Sequence, residues 1–315
     1  MSLLISAVVS TYNRRASLMR CLDSLERQTL PRVQYEIIVI DDHSPDDTAE
    51  WMRQRPTIRF VRQPTNRGIA ASRNEGIRQA QSDWVLILDD DLILMPDALE
   101  KHVQAHREQP GEHIAILGQT RQAPDLEITP LMQYLAETGL SPLVNSDAIE
   151  NPNDLPFGYL ATNVSLHREF LIRVGMFDEV LFSGEDIAPY GEDTELGYRL
   201  KQAGMRLVYR DDIVADHYSA LTYPYARRRA KLAGRTAVRT HRKHPEWVNI
   251  DFLNYSLKSR SVIQAKRLAT ETVLDPVLIA ADQRRWDHPL LRHAYLFALS
   301  THQLTAMLDA VKSDS

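Results

Sequence analysis

The chain has 315 residues, of which 43% are hydrophobic and 25% charged, with a net charge of −5. This is the make-up of an ordinary soluble globular protein, long enough for one large domain with an extension or for two fused lobes. It gives no support to a general nucleic-acid binder, and Cys21, the single cysteine, excludes an internal disulfide framework and a cysteine-rich zinc site. Met1 to Val9 lacks the basic region and small-residue cleavage site of a secretory signal, and no apolar run approaches the roughly 18–20 residues that span a bilayer. A cytoplasmic protein is expected, any membrane contact being peripheral to the inner face.

Leu3 to Ser10 is an apolar run that reads as a buried strand, ending in Thr11-Tyr12-Asn13-Arg14. Polar residues there sit where open α/β sheets bind ligands, and they equally suit a plain strand-to-helix loop with a capping side chain. A helix is expected from about Arg15 to Gln28, where Leu18, Cys21, Leu22 and Leu25 share one face. Tyr35 to Ile40 reads as a second strand ending in Asp41-Asp42-His43-Ser44, followed by a helix from Asp46 to about Arg53 whose first-turn acids oppose the dipole. Ile58 to Val61 is a shorter third strand. Asn66-Arg67-Gly68-Ile69-Ala70-Ala71-Ser72-Arg73-Asn74-Glu75-Gly76 opens a helix to about Gln81, whose free N–H groups could face an anion. Trp84 to Leu88 is the fourth strand, Pro96 to Arg107 a helix, and Ile114 to Leu117 a fifth strand. Strand and helix in alternation predict a parallel sheet with helices on both faces.

The fourth strand stops at Asp89-Asp90-Asp91. Three consecutive acids repel one another, and a divalent cation would offset them, since Mg²⁺ takes one or two carboxylates together with substrate phosphates. A solvated acidic turn is the other reading. From Gln119 to Pro156 prolines break the periodicity around one short helical pattern, Leu131 to Leu140, as expected of a lid or binding loop. Phe157 to Ser165 reads as a strand; its Asn163-Val164-Ser165 matches a glycosylation sequon, taken as accidental without a secretory signal. Gly191-Glu192-Asp193 opens an amphipathic helix through Leu196 and Leu200, and Met205 to Tyr209 is another strand before His217. Gly184-Glu185-Asp186 carries the same letters without the amphipathic run. Pro224 to Pro245 is strongly basic, including Arg227, Arg228, Arg229, Lys231, Arg235, Arg239, Arg242 and Lys243. It reads as a solvated helix face, or as a contact for a phosphorylated acceptor, a donor phosphate or an anionic membrane; no aromatics interleave to stack nucleic-acid bases. Leu257 to Ala269, Pro276 to about Trp286 and Leu290 to Val311 read as helices.

A-V-V-S-T-Y-N-R, E-I-I-V-I-D-D-H-S, N-R-G-I-A-A-S-R-N-E-G and L-D-D-D before M-P-D together resemble the family 2 glycosyltransferases of the GT-A fold. The resemblance covers Leu3 to His217. It implies an α/β fold with a GT-A type, Rossmann-like, mostly parallel sheet flanked by helices, followed by a C-terminal helical extension. Residues 1–118 would be the nucleotide-sugar-binding half, 119–219 the acceptor-binding half and 220–315 the extension. The resemblance places Thr11 and Tyr12 beside the nucleotide base, Asp42 as acceptor of a base N–H, Asp41 as its buried neighbour and Arg73 by the nucleotide. Asp89 and Asp91 match the outer acids of the D-x-D, Asp91 being the metal ligand. Ser10, Arg14, Asn66, Gly68, Asp90 and Glu192 complete the expected substrate-binding set. His43 stands where the family usually has Gly or Asn. The turn Val174 to Glu179 resembles a packing element, G-x-F-D-E. Asp193 matches the general base of the E-D signature, Glu192 being left to the acceptor or to a supporting role, and His217 either completes the metal shell or is structural.

The same resemblance implies an inverting glycosyltransferase of hexosyltransferase type. It would use a nucleoside-diphosphate sugar, a UDP-sugar in first place, with Mn²⁺ or Mg²⁺ as cofactor. The acceptor would be a saccharide, lipid-linked or small molecule; a homodimer through the helices after Leu290 is compatible with the sequence. Two alternatives make different demands on the chain. A sugar-nucleotide-forming nucleotidyltransferase would want a glycine-rich, lysine-containing loop where this chain has Ser10-Thr11-Tyr12-Asn13-Arg14-Arg15. A non-catalytic nucleotide-sugar-binding protein would need a broken D-x-D or E-D.

Overall fold

The apolar runs become strands because each is covered on both faces. In the computed structural model, described for residues 2–137, 162–181, 191–247, 260–286 and 288–312, the strands are β1 (Ile5–Thr11), β2 (Tyr35–Asp41), β3 (Arg59–Arg62), β4 (Trp84–Asp89), β5 (Leu92–Leu94), β6 (Ile114–Gln122), β7 (Val164–His167) and β8 (Arg206–His217). They form one sheet in the order β3-β2-β1-β4-β7-β6-β8-β5. Alternate residues of a strand point to opposite faces. Ala7, Val9, Ile37, Val39, Leu86 and Leu88 pack with α1 (Arg15–Glu26), α2 (Thr48–Met52) and α4 (Ala98–Glu108). Val8, Ile38, Ile40, Val85 and Ile87 pack on the other face with α3 (Ile69–Gln79), α6 (Arg168–Arg173) and α7 (Glu192–Gln202). Cys21 lies buried on the α1 face with Leu18, Leu22 and Leu25, as its spacing predicts.

The sheet is parallel through β3, β2, β1 and β4, but β7 runs antiparallel to β4 and β6, and β5 antiparallel to β8. β5 is not visible in the sequence pattern: three residues directly after an acid triplet are too few for a period. The helix expected from Pro96 begins at Ala98. The strand expected to end at Tyr209 continues to His217 after a register break. Gly118 of β6 faces Arg210, whereas Gln119 faces Val214, so residues 211–213 bulge.

Asn163 holds that bulge. Its Nδ2 donates to Gln119 O (3.3 Å) and Ile213 O (3.1 Å), and its own carbonyl accepts Gly118 N (2.9 Å). Residue 118 has to be glycine, because a Cβ would lie 2.2 Å from Asn163 Nδ2 and 2.5 Å from Ile213 O. Asn163 has φ 54°, a left-handed conformation that asparagine tolerates. With 0% exposure it offers no acceptor for glycosylation in the folded protein, so the sequon is accidental.

The amide orientation fixes two buried histidines. Because Nδ2 faces carbonyls, Asn163 Oδ1 must accept from His102 Nε2 (3.0 Å). His102 Nδ1 then accepts from Ser165 Oγ (2.9 Å), which accepts from His106 Nε2 (2.7 Å). His106 Nδ1 has no partner, and the ring stacks on Trp84 at 3.5 Å between centroids. The relay requires the His102 ring neutral, and a buried His106 Nδ1 without an acceptor favours a neutral ring there too. Burial lowers His102 to about 4; burial and then His102 lower His106 to about 3. In the unfolded chain both titrate near ~6.5, so over this range it is the unfolded state that takes up protons. Their stabilising contribution is complete above ~pH 6.5 and is lost as pH falls through the folded-state values. The melting temperature is therefore expected to drop between ~pH 7 and ~pH 5. A melting temperature that stays constant across that range would refute the neutral relay.

The chain divides into two units, Met1–Leu126 with Pro142–Ser219, and Glu127–Ser141 with Ala220–Ser315. The sheet belongs to the first. The second contains α5 (Pro130–Glu137), α8 (Tyr223–Lys243) and helices Arg260–Ala269, Asp275–Arg284 and Pro289–Lys312, with a π-helical turn at Thr270–Leu274. Its core gathers Leu131, Tyr134, Tyr223, Leu278, Tyr295 and Ala298. The basic run lies on α8 but is not uniformly a solvent face. Arg227 donates to the buried Asp275 (2.8 Å), which also accepts Tyr223 OH (2.6 Å) and contacts His302 Nε2 (2.9 Å). Arg228 is exposed. Among the described residues no helix is long and apolar enough to cross a membrane.

Candidate active site

Parallel strands in register bring their carboxyl ends to one edge: Thr11 pairs with Asp41, and Ser10 with Asp89. The loops beyond them are stitched together there. Asp42 N donates to Thr11 O (3.0 Å), Asn13 N to Ser44 Oγ (2.9 Å) and Ser44 N to Asp41 Oδ1 (2.9 Å). His43 takes φ 66°, the left-handed turn position, and its Nδ1 lies 3.1 Å from Gln63 O. Asp42 Oδ1 accepts Gln63 Nε2 (2.9 Å) and Arg67 N (2.8 Å), while Oδ2 accepts Gly68 N (2.8 Å). Gly68 has φ 86° at the start of α3, which explains the glycine. Burial raises the Asp42 carboxyl above its ordinary value, against the pull of the Arg67 and Gly68 N–H groups. Tyr12 and Asn66 are exposed beside this cluster, and Ser10 Oγ is buried without a partner.

The acid triplet is held by two arginines. Thr11 Oγ1 donates to Asp90 Oδ2 (2.7 Å). Arg14 reaches Asp90 Oδ1 with Nη1 (3.0 Å) and Asp91 Oδ2 with Nη2 (2.7 Å). Arg73, only 3% exposed, donates to Asp89 Oδ1 and to Glu192 Oε1, both at 2.7 Å, with its guanidinium 5.3 Å from the Phe177 ring centre. The β5–β8 ladder sets Leu92 opposite His217, and Tyr218 N donates to Asp91 O (2.9 Å). His217 Nε2 is thereby placed 3.4 Å from Asp91 Oδ1.

The electrostatics follow from burial and these partners. Burial pushes Asp90 up to about 7, Arg14 opposing and Asp91 adding to the rise. Burial also raises Asp89, against Arg73. Burial likewise opposes ionisation of Asp91, but His217 and Arg14 outweigh it and hold this carboxyl well below the usual range. Both Arg14 and Arg73 keep their charge despite burial, since the acids around them raise their pKa.

The donor set fits a hard divalent cation. Asp91 Oδ1 is buried with no hydrogen-bond partner of good geometry among the described residues, and it faces His217 Nε2. Neighbouring ligands in an octahedral shell of about 2.1 Å bonds stand roughly 3 Å apart, close to the spacing of this pair. Among the described residues no set of three or more His, Cys, Asp or Glu side chains forms a complete cage. Asp91 and His217 would thus hold an ion whose other positions are filled by substrate and water, as Mg²⁺ commonly is.

At the start of α7 the two acids part. Glu192 is buried and paired with Arg73. Asp193 Oδ1 accepts only from its neighbour Thr194, through N (2.7 Å) and Oγ1 (3.2 Å), and Oδ2 has no hydrogen bond among the described residues. Burial, then the adjacent Glu192, pushes the Asp193 carboxyl up to about 7. Thr11, Arg14, Arg73, Asp89, Asp90, Asp91, Glu192 and His217 thus form linked polar clusters, with Asp193 next in sequence; Asp42 and Gly68 form a separate one. Gly184-Glu185-Asp186, residues 138–156 of the loop and residues 157–161 of the strand expected to Ser165 lie outside the described residues. Sequence reasoning missed Gln63, which donates to Asp42 and to Ser72 Oγ (2.7 Å), and Asn74, which brackets Phe177 by accepting its N–H and donating to its carbonyl, both at 2.9 Å. No pattern singles out either.

The comparisons with known proteins fall on the same region. An uncharacterized glycosyltransferase of Bacillus subtilis (strain 168) is 27% identical over 259 residues, covering 67% of this chain and 64% of that protein. The validoxylamine A glucosyltransferase of Streptomyces hygroscopicus subsp. jinggangensis is 30% identical over 225 residues, covering 64% of this chain and 52% of that protein. The chain therefore spans less than two thirds of the length of these relatives. In structure it resembles S. aureus TarS 1-349 in complex with UDP (TM-score 0.55, 17% identity, 99% of this chain and 92% of that one). It also resembles a mannosyltransferase of Pyrobaculum calidifontis in complex with GDP-Man and Mn²⁺ (TM-score 0.58, 17% identity, 100% and 89%). The family model described as Glycosyl transferase family 2 matches residues 6–171, from inside β1 through the acid triplet into α6. Together with the mixed sheet and its acid-lined edge, that match over more than half of the chain makes this protein a member of glycosyl transferase family 2 with a GT-A fold.

Proposed function

We propose that the protein is an inverting hexosyltransferase that moves a sugar from a UDP-sugar to an acceptor hydroxyl with the help of Mn²⁺ or Mg²⁺. The observation that carries this is the set of ion pairs at the sheet edge. Asp91 stands between Arg14 and His217, and Arg73 ties Asp89 to Glu192 beside an Asp193 with one free oxygen. The UDP complex of TarS and the GDP-Man and Mn²⁺ complex of the Pyrobaculum enzyme support a nucleotide-sugar donor and a metal. Asp91 and His217 would hold the cation, which would supply Lewis-acid neutralisation of the departing diphosphate.

The remaining work falls to side chains. Thr11 and the exposed Tyr12 flank the base, and Asp42 accepts a base N–H. Arg73 fixes the start of α7 against Asp89, so that the donor and acceptor sides keep a set separation. Asp193 takes the proton from the attacking hydroxyl. Its raised pKa makes it a better proton acceptor than an ordinary carboxylate, while Glu192 is committed to Arg73. The acceptor is a saccharide, lipid-linked or small molecule.

The test is sugar release and transfer from a panel of UDP- and GDP-sugars with and without Mn²⁺, read with thermal shifts for each nucleotide. Metal-dependent turnover of a UDP-sugar, with inversion at the anomeric carbon by NMR, is expected. Turnover unaffected by chelation, or retention of configuration, would overturn the mechanism.

A further inference from the structure

Arg14 and His217 face the two oxygens of one carboxylate, that of Asp91. The Arg14 guanidinium donates to Asp91 Oδ2 at 2.7 Å and stands 3.0 Å from Asp90 Oδ1, while Asp91 Oδ1 has no hydrogen-bond partner of good geometry among the described residues and lies 3.4 Å from His217 Nε2. The Arg14 side chain is 45% exposed, whereas those of Asp90 and Asp91 are 4% and 6% exposed. Arg14 sits in the loop before α1, and among the described residues its guanidinium makes no other hydrogen bond or ion pair. The acids are therefore fixed, and the long unbranched cation is the part with room to move.

A guanidinium on Oδ2 and a divalent ion at Oδ1 share one carboxylate. Like charges that close repel strongly even at the effective dielectric of ~20 that suits protein sites. A nucleoside diphosphate changes that balance. It brings negative charge, and its paired oxygens match the guanidinium fork. We propose, resting on the metal site assigned above to Asp91 and His217, that Arg14 is a positioning residue that makes cation binding depend on the donor. It holds Asp91 by Oδ2 and opposes a cation at Oδ1 until a diphosphate arrives, and then turns to the diphosphate oxygens. The consequence is ordered loading, in which the metal binds poorly alone and well with the donor.

The test uses Mn²⁺ alone, followed by the EPR signal of the free ion, and UDP, followed by calorimetry, on the full chain. The proteins compared are the natural one, Arg14→Gln, Arg14→Lys and Asp91→Asn. Removing the charge in Arg14→Gln is expected to tighten Mn²⁺ alone by about tenfold and to weaken UDP in the presence of Mn²⁺ by about tenfold. Arg14→Lys keeps the charge and should bind Mn²⁺ alone within about threefold of the natural protein. A structural clamp would not give these opposite signs. Mn²⁺ affinity that is unchanged or weaker in Arg14→Gln overturns the proposal. So does a natural protein whose Mn²⁺ affinity is not improved by UDP, a measurement that stands even if Arg14→Gln does not fold. Asp91→Asn separates the two levels. If it loses Mn²⁺ while Arg14→Gln leaves affinity unchanged, only the role of Arg14 fails; if it keeps Mn²⁺ at natural affinity, the metal site fails and the role of Arg14 with it.

Discussion

Asp193→Asn is expected to lower kcat by ~10²–10⁴-fold while leaving nucleotide affinity near that of the natural protein. The size follows from what a positioned base contributes. The selectivity for kcat follows from where Asp193 sits. Its polar partner is Thr194 in the same helical turn, whereas Arg73, Asp89, Asp90, Asp91 and Glu192 are engaged with one another or with Arg14. Removing its charge therefore leaves the donor side intact, and relieves Glu192 of a neighbouring carboxylate, so folding should be preserved. The pH profile gives an independent sign. Burial and Glu192 push this carboxyl up to about 7, and a base works only when deprotonated, so activity should climb with pH through that value. In Asp193→Asn the residual activity should lose this limb. An ascending limb that survives the substitution would assign it to another group. Asp186→Asn, in the Gly184-Glu185-Asp186 look-alike, is the control. An inactive Asp186→Asn beside an active Asp193→Asn would mean that the wrong acid pair carries the base.

The part of this site that could be read from sequence is the part made by strand ends. A buried parallel strand announces itself as an apolar run, and the residues after it must lie at the ligand edge, which places Thr11, Asp42 and Asp89 to Asp91 without any structure. The start of α7 is legible for a similar reason, because acids before an amphipathic run mark a helix N-terminus. His217 and Arg14 were expected only from the family resemblance, because neither has a local signature. His217 is delivered by the bulge in β8, and that bulge depends on Asn163, Gly118 and the buried histidines of α4, residues 45 or more positions away from it in the chain. Arg14 reads as a loop arginine, and only the approach of β4 to the loop after β1 sets it across Asp90 and Asp91. Arg227 shows the converse error. A basic helix looks solvated in sequence, yet one of its charges is half-buried against Asp275.

Asp91→Ala is expected to abolish metal-dependent turnover and to weaken Mn²⁺ binding by more than the ~10–100-fold typical of losing a partner outside the coordination shell. Loss of function here is separable from loss of fold. Asp91 is one of three adjacent acids, and its removal lowers the repulsion that Asp89 and Asp90 bear. The partners it leaves are tolerant. Arg14 keeps Asp90 and is 45% exposed, so its freed Nη2 can be hydrated, and the antiparallel pairing that places His217 runs through backbone groups of β5 and β8. The melting temperature should fall modestly, since the Asp91 carboxyl held low by His217 and Arg14 stabilises the fold at neutral pH, while Mn²⁺ affinity collapses. Asp91→Asn preserves shape and one oxygen but not the charge, and belongs between alanine and the natural protein. His217→Ala removes the other proposed ligand without touching the acid triplet, and should reproduce the metal defect in a milder form. A protein that kept its natural Mn²⁺ dependence in both Asp91→Ala and His217→Ala would have its metal elsewhere, and the neighbouring Asp89, in contact with Arg73, would be the next acid to test.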